Sequence, residues 1–244
     1  MTRLKVLFAG ARGRMGQALL PGLRAAPDLE VVATVERGDD LVARVRESGA
    51  QVVVDFTTAS VAVENARRIL ASGAQGVVGT TGFTADDLDR LEQEALAARR
   101  GLCIAPNFAL GMVLLQRCAE QLVRHFPRVE VIEAHHDAKA DAPSGTALRT
   151  AERLARAGAA AGPGPRDEAA RGHDVQGVHV HSVRLPGLVA RQDVVFGSSG
   201  EALLLRHEAH SRECYLPGVL LAVRAMPGRV GLVRGLDPLL PGLA

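Results

Sequence analysis

The densest polar segment of the 244-residue chain runs Glu133-Ala134-His135-His136-Asp137-Ala138-Lys139-Ala140-Asp141-Ala142-Pro143-Ser144-Gly145-Thr146. It leaves an apolar run, Val129–His135, and ends where a helical pattern begins. Two histidines at a strand end can supply a proton donor near neutral pH. Lys139 offers a compact positive charge, or a proton if its neighbours allow. It is one of only two lysines, with Lys5, among 29 basic residues in a chain that otherwise writes Arg. Ser144, Gly145 and Thr146 at a helix start present backbone N–H groups and two hydroxyls to an anion, most naturally a carboxylate. Proton donor, cation and anion nest together suit a small acid that accepts a hydride. Simpler readings exist for each part: Ser144 as a helix cap, and His135 as a core histidine. His179 and His181 share a strand face, but no further ligand stands at a metal-binding spacing, so no metal is expected.

A second chemical feature lies at the start of the chain. Leu4–Ala9 reads as a strand and runs into Gly10-Ala11-Arg12-Gly13-Arg14-Met15-Gly16, then a helix. Glycines at this spacing permit a tight turn whose N–H groups approach a pyrophosphate at a helix N-terminus. Glu36 closes the next strand 20 residues after Gly16, where a carboxylate meets the adenosine ribose hydroxyls. Arg37 beside it is placed for a 2′-phosphate, or is a solvated surface charge. Gly79-Thr80-Thr81-Gly82 and Ala105-Pro106-Asn107-Phe108 each follow an apolar run, at the carboxyl edge where open α/β sheets bind ligands.

The elements that must position these groups follow from periodicity. Leu4–Ala9, Glu30–Val35, Gln51–Phe56, Gly76–Gly79 and Leu102–Ala105 read as buried strands. Met15–Ala26, Ser60–Ser72 and Ala85–Arg99 carry apolar residues at helical spacing, the last with Thr84 as N-cap. Alternation of this kind means a parallel sheet covered on both faces. Pro21 is expected to kink the first helix or end it early. Beyond Asn107 the pattern changes to a helix over Leu110–Phe126, the strand Val129–His135 and a helix near Ser144–Ala157. Ala157–Gly172, rich in Ala, Gly and Pro, is expected to be a mobile loop. Val178–Leu185, Asp193–Gly197 and Glu201–Glu208 follow without intervening helices, and so pair largely antiparallel. Pro217–Met226 is a last helix. The expectation is α/β: a nucleotide-type domain followed by an α+β domain.

Composition bounds the function classes. Twenty-nine basic against 27 acidic residues leave a formal charge of +2, too little for a nucleic-acid or anionic-membrane surface. With no Trp, one Tyr and six Phe there are few platforms for stacking bases. Neither a secretory apolar region nor a membrane span is expected. Cys103, Cys118 and Cys214 lie far apart without a C-x-x-C, which suits a reducing cytoplasm.

The segment from Glu133 to Thr146 is similar to E-x-H-H-x-x-K-x-D-x-P-S-G-T, the signature of the dihydrodipicolinate reductases of diaminopimelate and lysine biosynthesis. Gly10–Gly16, Asp55-Phe56-Thr57, Gly79–Phe83 and Ala105–Phe108 resemble that family's other blocks in the same order. The resemblance implies a Rossmann-like dinucleotide-binding domain over 1–107 and 217–244. It also implies an α+β substrate and tetramerisation domain with an open mixed sheet over 108–216. It implies that NADH or NADPH supplies hydride for reducing 4-hydroxy-tetrahydrodipicolinate, a cyclic dicarboxylate, at C4 after loss of its hydroxyl. His135 then corresponds to the catalytic acid/base and Lys139 to the proton donor. His136, Gly145 and Thr146 correspond to the groups that hold substrate carboxylates, and the helix-start reading adds Ser144 to them. Gly10, Ala11, Arg12, Gly13, Arg14, Met15, Glu36, Arg37, Gly79, Thr80, Thr81, Ala105, Pro106, Asn107 and Phe108 line the cofactor. A homotetramer is implied as well, and the cysteine usage adds a cytoplasmic location. Two departures are visible: only 18 residues separate Glu36 from Asp55, and Ala138 stands where some members have a third His. Two rivals share the same residues: another two-domain dehydrogenase acting on an amino acid, and a non-catalytic dinucleotide sensor.

Overall fold

A computed structural model describes residues 2–161 and 169–242. The chain divides into two compact units, Met1–Leu110 with Arg212–Ala244, and Gly111–Ser211.

The first unit is built on a parallel sheet. Its strands are β1 (Leu4–Ala9), β2 (Leu29–Val35), β3 (Val52–Asp55), β4 (Gln75–Val78), β5 (Gly101–Ile104) and β11 (Gly231–Arg234), in the order β11-β5-β4-β3-β1-β2. β3 and β5 are buried along their whole length, as strands covered on both faces must be, and this is why they read as unbroken apolar runs. Helices α1 (Arg14–Ala25), α2 (Leu41–Ser48), α3 (Ala62–Ser72), α4 (Ala85–Ala98) and α7 (Leu216–Ala225) accompany them. Leu7, Val53, Ile69, Val78, Leu91 and Leu102 form the centre of one core. Thr84 caps α4 as expected: its Oγ1 accepts from Asp87 N–H at 3.1 Å while its own N–H donates to Asp87 Oδ2 at 3.0 Å.

Pro21 does not end α1, which continues to Ala25. An interior proline costs roughly 3 kcal/mol. Leu19, Leu20 and Leu23 are all buried on this helix, and about 1.5–3 kcal/mol for each outweighs it. Two elements escape the periodicity. α2 buries only Leu41 and Val45, although Asp40 caps it by accepting from two backbone N–H groups and Gly49 closes it at φ 65°. β11 is four residues long and is defined by its parallel pairing with β5, Gly231 to Gly101 through Arg234 to Ile104.

The second unit carries a mixed sheet in the order β10-β9-β6-β8-β7, with β6 (Arg128–His135), β7 (His173–Val175), β8 (Val178–Arg184), β9 (Ala190–Ser198) and β10 (Glu201–Ala209). β6 and β8 run parallel, and the other pairs are antiparallel. α5 (Leu110–Leu122) ends short of the expected Phe126, because the His125 and Phe126 N–H groups both turn back to the Leu122 carbonyl. β9 begins at Ala190 rather than Asp193 because its buried polar residues find hydrogen-bond partners. Gln192 donates to Thr150 Oγ1 on α6 (Gly145–Arg156) at 2.9 Å, and Asp193 takes Arg206 of β10 in two bonds of 2.7 and 2.8 Å. Residues 162–168 of the expected loop lie outside the described part, and Ala169–Arg171 form a short 3-10 turn. Along β6, Val129, Val131 and Glu133 are buried, with Glu130 and Ile132 less so, in the two-residue alternation of a strand. Glu133 and His135 therefore project on the same side of the sheet as Val131.

Candidate active site

In the first unit, β1 passes directly into the glycine turn. Gly10 has φ +86°, and a Cβ there would lie 2.9 Å from the Phe56 carbonyl oxygen. A Cβ on Gly16 would collide with the carbonyls of Gly10 and Ala11, so the turn closes only around glycine. No side chain caps α1 at Gly13, and its first turn has no acidic residue, which leaves an electropositive helix end for a phosphate. Glu36 is drawn to this turn: its Oε1 accepts from the Arg12 N–H at 2.8 Å. Arg12, Arg14 and Arg37 are exposed, and Ala11 and Met15 are half-buried.

Asp55, at the end of β3, is fully buried and accepts from the Thr57 N–H at 2.8 Å and Asn65 Nδ2 at 3.0 Å. Burial pushes its carboxyl up, against these hydrogen bonds. It thereby shapes the Phe56–Thr57 turn that faces Gly10. A Cβ on Gly79 would fall into the Phe56 ring. Thr80 is buried with its Oγ1 unpaired among the described residues, while Thr81 is exposed. Asn107 Oδ1 accepts from Ala109 N–H at 2.8 Å, fixing the turn after Ala105 and the exposed Pro106. Phe108 is buried against Phe56, with ring centroids 5.5 Å apart, so its side chain belongs to the core. A glycine turn at an uncapped helix, a carboxylate at the end of β2 and an unpaired hydroxyl at the sheet edge fit a dinucleotide.

In the second unit the polar loop is organised around Glu133, whose side chain is wholly buried. Its Oε2 meets His135 Nδ1 at 2.5 Å and accepts from Arg184 Nη1 at 2.9 Å. Its Oε1 accepts from Arg184 Nη2 at 2.7 Å and from the Ser144 N–H at 3.1 Å. Burial raises this carboxyl, but hydrogen bonds from His135, Arg184 and Ser182 outweigh it and bring the group from 4.5 down to about 2. Arg184 Nη2 also donates to the Asp141 carbonyl at 2.6 Å, pinning the loop that carries Lys139. Lys139 Nζ donates to both Asp141 carboxylate oxygens, at 2.6 and 2.8 Å. That bond holds the exposed Asp141 below the usual carboxylate range.

Ser144 is the N-cap of α6: its Oγ accepts from the Ala147 N–H at 3.2 Å. That bond uses a lone pair and leaves the O–H to donate. Gly145 is exposed and Thr146 half-buried at the same helix start. Farther along, Thr150 Oγ1 donates to the Thr146 carbonyl at 2.9 Å and accepts from Gln116 Nε2 at 2.8 Å and from Gln192. This buried network ties α6 to α5 and β9. His136 is half-buried, and its carbonyl accepts the Lys139 N–H. His179 is buried, whereas His181 pairs with Glu130 at 2.7 Å; no group of three or more His, Cys, Asp or Glu is placed to hold a metal among the described residues. Arg184 and Thr150 are absent from the sequence-based site. β8 brings Arg184 opposite His135 across 48 intervening positions, and no local spacing signals that register.

A glycine-turn nucleotide unit, followed by a unit carrying a histidine and a lysine each held by a carboxylate beside a Ser144-capped helix start, defines a two-unit nicotinamide-dependent oxidoreductase. The family model "Dihydrodipicolinate reductase, N-terminus" matches residues 4–108, and "Dihydrodipicolinate reductase, C-terminus" matches 111–240. The 4-hydroxy-tetrahydrodipicolinate reductase of Nocardia farcinica is 51% identical over 97% of this chain and 98% of its own. That of Moorella thermoacetica is 43% identical over 97% and 98%. A dipicolinate-bound dihydrodipicolinate reductase from Paenisporosarcina sp. TG-14 superposes with a TM-score of 0.88 at 33% identity, covering 98% of this chain and all of that one. The chain belongs to the dihydrodipicolinate reductase family. Its reaction is the NAD(P)H-dependent reduction of 4-hydroxy-tetrahydrodipicolinate to tetrahydrodipicolinate, in diaminopimelate and lysine biosynthesis. The amino-acid dehydrogenase and sensor readings are thereby set aside. An engineered D-amino acid dehydrogenase shares the fold alone, at 16% identity and a TM-score of 0.58.

Proposed function

We propose that His135 and Lys139 handle the proton of this reduction, and that His136, Ser144, Gly145 and Thr146 hold the carboxylates of the substrate. When bound, the reduced nicotinamide supplies a hydride. The residues proposed to hold it are Gly10 to Met15, Glu36, Arg37, Gly79 to Thr81 and Ala105 to Phe108, Phe108 contributing through its backbone because its ring is buried. This assigns 1–107 and 217–244 to the dinucleotide and 108–216 to the substrate; the division of the chain at Leu110 and Arg212 supports the assignment. His135 presents Nε2 as the nitrogen left for proton exchange, since Nδ1 is engaged. The ammonium of Lys139 has three donors, of which Asp141 takes two, leaving one for substrate. The start of α6 offers backbone N–H groups and two hydroxyls to a carboxylate.

The observation that carries the reading is the placement of both groups: His135 and Lys139 keep 16% and 22% of their side chains exposed while each is held by a carboxylate. Its test couples the protein to dihydrodipicolinate synthase and follows NAD(P)H absorbance. His135→Gln is expected to lower kcat by about 10²–10⁴-fold with NADH affinity retained; an unchanged kcat refutes the assignment.

The same proposal extends to assembly and place. The side of the mixed sheet opposite Val131 carries Leu204, 49% exposed on the edge strand β10. An exposed apolar residue on a strand with one open edge supports burial against further copies, as a homotetramer. No helix is long and apolar enough to cross a membrane among the described residues. A cytoplasmic location is part of the proposal, and the biosynthetic reductases this chain resembles support it.

A further inference from the structure

We infer that Glu133 is the positioning residue of this reaction, setting the imidazole tautomer of His135 and, through the Ser144 N–H, the start of the carboxylate-binding helix. The inference rests on the catalytic reading of His135 above. Both Glu133 oxygens accept from Arg184, Oε1 accepts the Ser144 N–H as well, and Oε2 lies against His135 Nδ1. The Arg184 guanidinium, bonded to both oxygens, holds the buried group ionised, and an ionised carboxylate only accepts. Nδ1 must then carry a proton in both charge states of the ring. When the imidazole is neutral the exchangeable lone pair is confined to Nε2. Glu133 is also where two chain segments meet: it lies two residues before His135 on β6 and eleven before Ser144, and Arg184 joins it to the loop bearing Lys139. Wholly buried, it cannot serve as the acid itself. Its effect on the reaction passes through His135 and Ser144.

The test compares wild-type protein with Glu133→Gln and His135→Gln. Nitrogen NMR shifts of His135, assigned by its loss in His135→Gln, are expected to show Nδ1 protonated and Nε2 bare in the neutral ring. The Nε2–H tautomer in wild-type protein overturns the proposal without any variant, whatever becomes of Glu133→Gln. In Glu133→Gln the tautomers are expected to mix, because the amide can donate as well as accept. kcat should fall by about 10²-fold or more, with NADH affinity changed by less than about twofold. A purely structural role would leave the His135 shifts in place while lowering the amount of folded protein, and that result also overturns the proposal. If His135→Gln keeps its kcat, the catalytic reading of His135 has failed. If His135→Gln is inactive while Glu133→Gln keeps both kcat and the wild-type shifts, only the positioning role has failed.

Discussion

Lys139→Arg separates a proton donor from a positive charge. The side chain of Lys139 is 22% exposed and its partner Asp141 61% exposed. An ion pair this open to water contributes about 0–1 kcal/mol. Arg can keep it, since its planar fork matches a carboxylate in two bonds. Folding stability should therefore move by no more than about 1 kcal/mol, and the loop remains pinned by Arg184 on the Asp141 carbonyl. What changes is the third donor. An ammonium can aim it at substrate and release the proton; a guanidinium, with a pKa above about 12, holds on to it. Removing general acid catalysis costs about 10²–10⁴-fold in kcat, or about 3–5 kcal/mol in barrier. Steady-state kinetics in the synthase-coupled assay, with NADH titration and thermal melts on the same samples, read all three quantities. Lys5→Arg, at an exposed position on β1, is the control and should be silent. A Lys139→Arg enzyme with kcat and KM within about twofold of wild type would show that the lysine supplies charge alone.

Arg37→Ala is expected to weaken NADPH by about 1–2 kcal/mol and to leave NADH unchanged, as one charge-assisted bond to a 2′-phosphate would be lost; equal losses in fluorescence titrations assign Arg37 to the surface. Light scattering should report a tetramer, and Leu204→Asp should shift it toward smaller species; a wild-type monomer at working concentration refutes burial of that sheet face. Glu133, held at about 2 against an ordinary 4.5, contributes about 3 kcal/mol of stability above pH ~4.5 that is lost as the pH falls toward 2. The sign follows from a depressed folded-state value: below it both states bind the proton and the advantage is gone. Urea unfolding of wild type and Glu133→Gln should thus converge on acidification, and a gap independent of pH contradicts the ionised carboxylate.

The segments proposed to carry chemistry are legible in the sequence because they are local. The turn from Gly10 to Gly16 and the loop from Glu133 to Thr146 are each contiguous, and their composition reflects what a tight turn or a helix start needs. The five consecutive strands of the first unit were legible as well: β3 and β5, buried along their length, are written as short apolar runs, and the edge strand β2 still carries Val31, Val32, Ala33 and Val35. Short or polar elements were not. α2 buries only two side chains and β11 has four residues, so neither accumulates a period; their existence depends on the helices and strands they pack against. The extent of β9 was hidden for a related reason: Gln192 and Asp193 look like surface residues until Thr150 and Arg206 pair with them and let them be buried. Most consequential is Arg184. Only the parallel pairing of β8 with β6 sets it opposite His135, and only there can its guanidinium neutralise a carboxylate that would otherwise be too costly to bury. Sequence spacing reports what a residue can do within one turn or strand, whereas the environment that orients an imidazole is assembled from segments far apart along the chain, and strand register alone decides which of them meet.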